Sequence, residues 1–339
     1  MRTSATASDN LPQRMSRIAA SLAAALLALA LAGCGGDGAE PDAPSGGAPA
    51  TLILDFQPNA VHAGIYAALA NGDLERRGIE LTVQEPGAST DAPKLLRAGR
   101  ADLAVMDIHD LAIARERGID LVGVGALVQR PLAAVIAADR DATRTPADLF
   151  GAKVGVTGLP SDDAVLRAVI DSTGATGVAP ETVTIGFNSV AALTAGRVEA
   201  ATAFWNAEGV ALQGAGVPIR EFRVDDYGAP SYPELVLVTT RERLEADRAE
   251  IAAIVGGLKA GYADAIDDPA GALDDLVAAV PGLERDEQEA QLDALGDAFA
   301  PPVALDRRVL EDWASWDERY GIVERRPDVD AASDFTLAR

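Results

Sequence analysis

The chain has 339 residues, 48% of them hydrophobic, and sets 52 acidic side chains against 29 basic ones for a formal net charge of −23. That length suits one large domain or two lobes, and the acidic balance excludes the electrostatic footprint of a nucleic-acid or anionic-lipid binder. A single cysteine excludes an internal disulfide, a cysteine zinc site and a thiol-rich active centre.

In chain order, Arg2, Arg14 and Arg17 come first, and an Ala- and Leu-rich run from Ile18 to Ala32 leads to Leu31-Ala32-Gly33-Cys34. A basic start, an apolar stretch and a small-residue boundary form a secretory signal over 1–33. The run is too short to remain as a transmembrane helix. Leu-Ala-Gly-Cys resembles the lipobox of bacterial lipoproteins, which implies acylation of Cys34 and a two-chain membrane anchor. Residues 34–50, with their Gly and Pro, read as a flexible tether. The folded part is expected to begin near Thr51.

From there strands and helices alternate. The pattern predicts strand 51–55, helix 60–70, strand 79–84, helix 92–98, strand 102–106, helix 110–117, and strands 121–127 and 132–137. A second series begins at Pro146, with strands at 153–156, 182–185, 199–203, 220–222 and 235–239 and helices at 162–172 and 189–195. Helices over 241–266, 270–279, 286–299 and 305–320 follow. The two series echo each other: Ala98-Gly99-Arg100-Ala101-Asp102 and Ala195-Gly196-Arg197-Val198-Glu199 each end a helix and open a buried strand. The expected fold class is therefore α/β, two mostly parallel sheets in a hinged clamshell with C-terminal helices. Lobe 1 would comprise 51–137 plus 231–339 and lobe 2 would comprise 138–230.

In such a fold the ligand lies between the lobes, against residues just after the strands. Those positions hold Phe56, Asn59, His62 and Tyr66, then Asp107, Gln129, Ser161 and Asn188, then Trp205, Asn206 and Glu208. Aromatics mix with amides and carboxylates, and of the basic residues only Arg130 touches these loops. That composition suits a flat, neutral or weakly cationic ligand bearing N–H donors better than an anion, although a helix start at Ser161 is open to one. Each residue has a plainer use. Asp107 can cap a helix, His62 and Trp205 can be packing, and Glu208 can be solvated. His62, His109, Asp107 and Asp110 are metal-type donors, but they lack the spacing of a zinc motif. No metal, cofactor or catalytic residue is expected.

Four runs in order carry a family resemblance: 55–66 (DFQPNAVHAGIY), Asp148 to Gly155, 186–210 (GFNSVAALTAGRVEAATAFWNAEGV) and 222–238 (FRVDDYGAPSYPELVLV). They resemble the solute-binding proteins for thiamine pyrimidine precursors, relatives of the fungal pyrimidine synthase. The resemblance implies a type II periplasmic-binding-protein-like fold and a formylaminopyrimidine or hydroxymethylpyrimidine ligand, with riboflavin or another planar heterocycle as the alternative. It implies Phe56, Asn59, His62, Tyr66, Trp205, Asn206 and Glu208 in the pocket, with Phe56 where a Trp is usual. It further implies an extracytoplasmic, lipid-anchored monomer serving the permease and ATPase subunits of an ABC importer. A synthase-like enzyme is disfavoured, since the cysteine-rich stretch of that relative is missing.

Overall fold

The computed structural model describes residues 46–88, 90–139 and 143–338. The expected signal segment, Cys34 and most of the expected tether lie outside them. The first series runs β1 (Ala48–Ile53), α1 (Ala63–Ala70), β2 (Ile79–Gln84), α2 (Asp91–Arg97), β3 (Leu103–Asp107), α3 (Ile108–Glu116) and β4 (Leu121–Val128). The second runs β5 (Ala133–Ala138), β6 (Lys153–Val156), α4 (Pro160–Asp171), β7 (Glu181–Thr184), α5 (Ser189–Thr194), β8 (Ala200–Phe204), α6 (Val210–Gly214) and β9 (Ile219–Arg223). After β10 (Leu235–Thr240) come α7 (Arg241–Ala246), α8 (Arg248–Asp267), α9 (Pro269–Ala279), α10 (Arg285–Leu295), α11 (Arg307–Arg319) and α12 (Val329–Ala332).

Two five-stranded sheets result, in the orders β2-β1-β3-β10-β4 and β7-β6-β8-β5-β9. Each is parallel except for one strand that returns from the other lobe. β10 lies antiparallel between β3 and β4, and β5 lies antiparallel between β8 and β9. The echo seen in the sequence extends to hydrogen bonds. Gly99 and Gly196 take positive φ at the ends of α2 and α5, a conformation that suits glycine. Asp102 accepts from the Thr51 amide at 2.8 Å, and Glu199 accepts from the Lys153 amide at 3.1 Å. In both lobes the acid opening one strand thus fixes the register of its parallel neighbour.

Four expectations are corrected. β1 begins at Ala48, pairing with Ile79, so the last residues of the expected tether belong to the sheet. β5 joins the second sheet, so the chain crosses between lobes at 129–132 rather than near Ala138. Every residue of β4 and β5 is buried, so alternation could not reveal their sheets, whereas Pro131, which lacks an N–H, separates them. The predicted helix 241–266 breaks at Asp247 into α7 and α8, and the one predicted over 286–299 stops at Leu295.

The return crossing occupies 224–234. Glu234, with no solvent exposure, accepts from the Leu132 and Ala133 amides at 2.5 and 3.0 Å and so ties the two crossings together. C-terminal helices pack back on the first lobe: Tyr262 of α8 donates to the Val61 carbonyl, and the Trp313 ring of α11 packs against the His109 ring with centroids 6.5 Å apart. Among the described residues, no helix is long and apolar enough to cross a membrane.

Candidate functional site

A cavity of about 370 Å³ lies between the sheets, walled by the ends of β1, β3 and β8 and by the first turns of α3 and α4. Phe56 comes from one lobe and Phe187 from the other, and their rings meet edge to face at 4.6 Å. Five carboxylates, Asp55, Asp107, Asp110, Asp162 and Glu208, line the cavity. Lys94 and Arg117 also reach the wall, both from solvent-exposed positions, which corrects the expectation of a cleft touched by Arg130 alone. Arg130 instead stacks on Trp205, 5.1 Å from the ring centroid, and pairs with Asp225 at 3.3 Å.

The loop after β1 is built by local hydrogen bonds. Asn59 Oδ1 accepts from the Val61 amide and Asn59 Nδ2 donates to the Gln57 carbonyl. The Asn59 amide donates to His62 Nδ1, which leaves Nε2 as the protonated nitrogen donating to Asp55 Oδ1 at 2.9 Å. His62 therefore orients the Asp55 carboxylate from behind the wall.

On the opposite wall, a five-residue π turn at Trp205–Gly209 follows β8. Glu208 accepts from the Phe204 amide and from the Ser189 hydroxyl. Burial pushes the Glu208 carboxyl above its ordinary range, and the charge of Asp55 across the cleft adds to the rise. Asp162 closes its own loop, accepting from Thr157, Thr202 and the Gly158 and Leu159 amides, yet burial still raises it. Asp110, held by the Ser161 hydroxyl at 3.4 Å, is pushed well above its ordinary value by burial and then by Asp107 and Asp162. The cavity thus offers acceptors, and several of its acids favour keeping a proton.

Of the eleven positions singled out in the sequence, Phe56, Asn59, Asp107, Ser161, Asn206 and Glu208 meet on this wall. Asp107 also caps α3 through the His109 amide, so its plain use and its cavity position coincide. Five others sit elsewhere. His62 and Tyr66 are buried behind the loop, where burial and then Glu85 push the Tyr66 hydroxyl to about 12. Gln129 spends its side-chain amide on the Ala126, Pro301 and Ala304 carbonyls. Asn188 is exposed and donates to the Ile185 carbonyl. Trp205 is 1% exposed, donates to the Pro131 carbonyl, and lies between Arg130 and Arg223. The alternative metal set is not assembled: His62 faces Asp55, whereas His109 faces Asp317 at 2.7 Å.

Sequence reasoning left Asp55 and Asp162 out of the site positions, counted Phe187 among the aromatics of the strand-end loops without carrying it to the site, and weighed Asp110 only as a metal ligand. Asp110 and Asp162 occupy first helical turns, where acids are ordinary companions of the helix dipole. Phe187 stands two residues after the predicted strand 182–185, which was the available signal.

Residues 59–272, more than half of the chain, match the model of a family described as NMT1/THI5 like. The chain belongs to the NMT1/THI5-like family. A formylaminopyrimidine-binding protein from Halalkalibacterium halodurans is 28% identical over 283 residues, covering 81% of this chain and 86% of the relative. A 4-amino-5-hydroxymethyl-2-methylpyrimidine phosphate synthase from Uromyces fabae is 22% identical over 301 residues, covering 84% and 86%. Curated relatives of this NMT1/THI5-like chain thus include both binding proteins and synthases. Among solved structures, the alkanesulfonate-binding protein SsuA from Xanthomonas axonopodis pv. citri, bound to MOPS, superposes with a TM-score of 0.69 at 22% identity. The match covers 85% of this chain and 99% of that one. The likeness establishes the expected fold, an α/β periplasmic-binding-protein-like architecture with C-terminal helices.

Proposed function

We propose that the chain is the solute-binding subunit of an ABC importer and carries a thiamine pyrimidine precursor of the formylaminopyrimidine or hydroxymethylpyrimidine type. The observation that carries this reading is the cavity itself, which draws an aromatic ring and carboxylates from both lobes. A 4-aminopyrimidine presents a flat face to Phe56 or Phe187 and an amino donor beside a ring nitrogen. Glu208, with its raised proton affinity, can face either site, accepting as carboxylate and donating as acid. A sulfonate or phosphate would meet five carboxylates instead.

Carriage rather than synthesis is supported by the lysines. Lys94 is the lysine on the cavity wall; its amine bonds Thr90 and its side chain is 69% exposed, a poor setting for an activated amine. In this reading the chain acts outside the cytoplasm as a monomer, with Cys34 as its lipid anchor and a permease and an ATPase as partners. Cys34→Ala protein should leave the membrane fraction for the soluble one on cell fractionation; retention in the membrane would remove the anchor.

The ligand reading is tested by titration calorimetry with formylaminomethylpyrimidine, hydroxymethylpyrimidine and riboflavin. A pyrimidine should bind, and Glu208→Ala should weaken it by about 2 kcal/mol, roughly 30-fold, the value of a hydrogen bond to a charged group. Tight riboflavin binding without pyrimidine binding would instead assign the cavity to flavins.

A further inference from the structure

We infer that the ligand carries an extended arm with an anionic end, which runs from the ring site along α3 toward Lys94 and Arg117. The inference rests on the heterocycle reading above and deepens it by naming the substrate class: an aminomethylpyrimidine acylated with a chain of several carbons that ends in a carboxylate.

The cavity is longer than a six-membered ring with short substituents requires. Asp110, Ile113, Ala114 and Arg117 all line it, and their spacing places them on one face of α3. At ~1.5 Å per residue, the helix from its Asp107 N-cap to its Arg117 C-cap spans about 15 Å. Pro93 and Lys94 of α2 line the same cavity. Ile113 and Ala114 keep only 6% and 5% of their surface exposed, so the arm is narrow and suits a slender chain rather than a second ring.

The wall changes character along its length. Its rings and acids sit at the cleft: Phe56, Phe187 and Glu208 follow strands, and Asp107, Asp110 and Asp162 lie at helix starts. Beyond Asp110, among the described residues, α3 adds no further acid to the wall, only Ile113, Ala114 and Arg117. Lys94 is the other cation that reaches it; its amine bonds the Thr90 hydroxyl at 2.8 Å, and Thr90 is itself a wall residue. Asp91 lies 3.9 Å from that amine. Arg117 has no hydrogen bond or ion pair among the described residues. The cavity is therefore polarised, acidic at the cleft and cationic where α2 and α3 wall it.

A ligand complementary to that gradient presents N–H donors on a flat ring at one end and an anion at the other. Each methylene lodged in the arm adds roughly fourfold to affinity. Exposed cations add only a few-fold for a carboxylate, and salt screens that part. The charge thus sets the direction in which the ligand enters, because a reversed ligand would bring its carboxylate to five acids. An acyl chain on the aminomethyl nitrogen supplies both parts. At ~1.2 Å per bond, a five-carbon glutaryl chain reaches about 6 Å past that nitrogen.

The test is calorimetry on the full chain in detergent, with 4-amino-5-aminomethyl-2-methylpyrimidine acylated by formyl, by glutaryl or by the methyl ester of glutaryl. Wild type should bind the glutaryl acid roughly tenfold more tightly than the formyl compound. It should prefer the acid to its ester roughly threefold at low salt, and lose that preference at high salt. Ala114→Leu, which fills the arm, should remove the gain of glutaryl over formyl. Ala114 is itself packed in α3, so a variant at exposed positions accompanies it. Lys94→Glu combined with Arg117→Glu should reverse the preference between acid and ester. Equal affinity in wild type for the formyl and glutaryl compounds, or for acid and ester, overturns the inference and leaves the heterocycle reading intact. A glutaryl gain that survives Ala114→Leu, or an acid preference that survives the double charge reversal, places the chain elsewhere and overturns it as well. Wild type that binds none of the three overturns both.

Discussion

Gly261→Ala should destabilise the protein by about 3 kcal/mol, near the upper end for overpacking a rigid contact, and should weaken ligand binding as well. Helix α8 crosses α1 at this residue. A Cβ at 261 would lie 2.1 Å from the Gly64 carbonyl oxygen and 2.6 Å from the Ala68 amide nitrogen. Both are backbone atoms, so no side-chain rotation relieves the clash. The reciprocal position is equally tight, since a Cβ on Gly64 would meet the Tyr262 ring at 2.5 Å. Tyr262 in turn donates to the Val61 carbonyl at 2.7 Å, next to the His62 that orients Asp55. Separating the helices therefore shifts the wall of the cavity. Gly256→Ala is the internal control, because its Cβ would meet only the flexible Arg77 side chain, closest at 3.3 Å. In mid-helix that change should be neutral or stabilise by about 0.5–1 kcal/mol. Urea denaturation of the two variants checks the argument; equal midpoints would mean that the α1–α8 approach is not as close as described.

How much of this was legible beforehand depends on the range of the interaction. Local chemistry was readable: Gly99 and Gly196 take the left-handed conformation their helix ends required, and the acids that follow them fix matching registers. The alternation of apolar runs gave both sheets. What failed was assignment of all-apolar runs to a sheet, as with β5, because a strand buried on both faces carries no sign of which neighbours it meets. The site divided along a similar line. Residues placed directly by a strand end, such as Phe56 and Glu208, reached the cavity. Trp205 did not, although it stands between Phe204 and Asn206 on the wall, because its indole turns toward the Pro131 carbonyl and the two arginines. No sequence pattern specifies that orientation. His109 and Asp317 are 208 residues apart in the chain, so their buried pair could be seen only in three dimensions.

That pair and Glu234 lead to the second large expected effect, at the crossing between the lobes. Glu234→Ala should cost about 2–6 kcal/mol, because it leaves the buried Leu132 and Ala133 amides without their acceptor at roughly 1–3 kcal/mol each. Glu234→Gln should cost under about 1 kcal/mol, since an amide keeps an acceptor oxygen and matches the protonated carboxyl in shape. Burial, and after it the charge of Asp107, pushes Glu234 to about 8, so the acid is mostly protonated near neutrality. For His109, burial favours the neutral ring, but Asp317 and Asp107 outweigh it and hold the imidazole at about 10. Both shifts have one sign. Between the ordinary glutamate range and pH 8 the folded chain keeps a proton on Glu234 that the unfolded chain has released. Between pH 6.5 and about 10 the same holds for His109. Stability should therefore fall continuously as pH rises from 5 to 10. Thermal melts should give a shallower slope for Glu234→Gln than for wild type between pH 5 and 8, with the decline above pH 8 retained. A wild-type melting temperature that stays level or rises over that lower interval would mean that the Glu234 carboxyl is already ionised in the fold, and the small cost expected for glutamine would then be wrong with it.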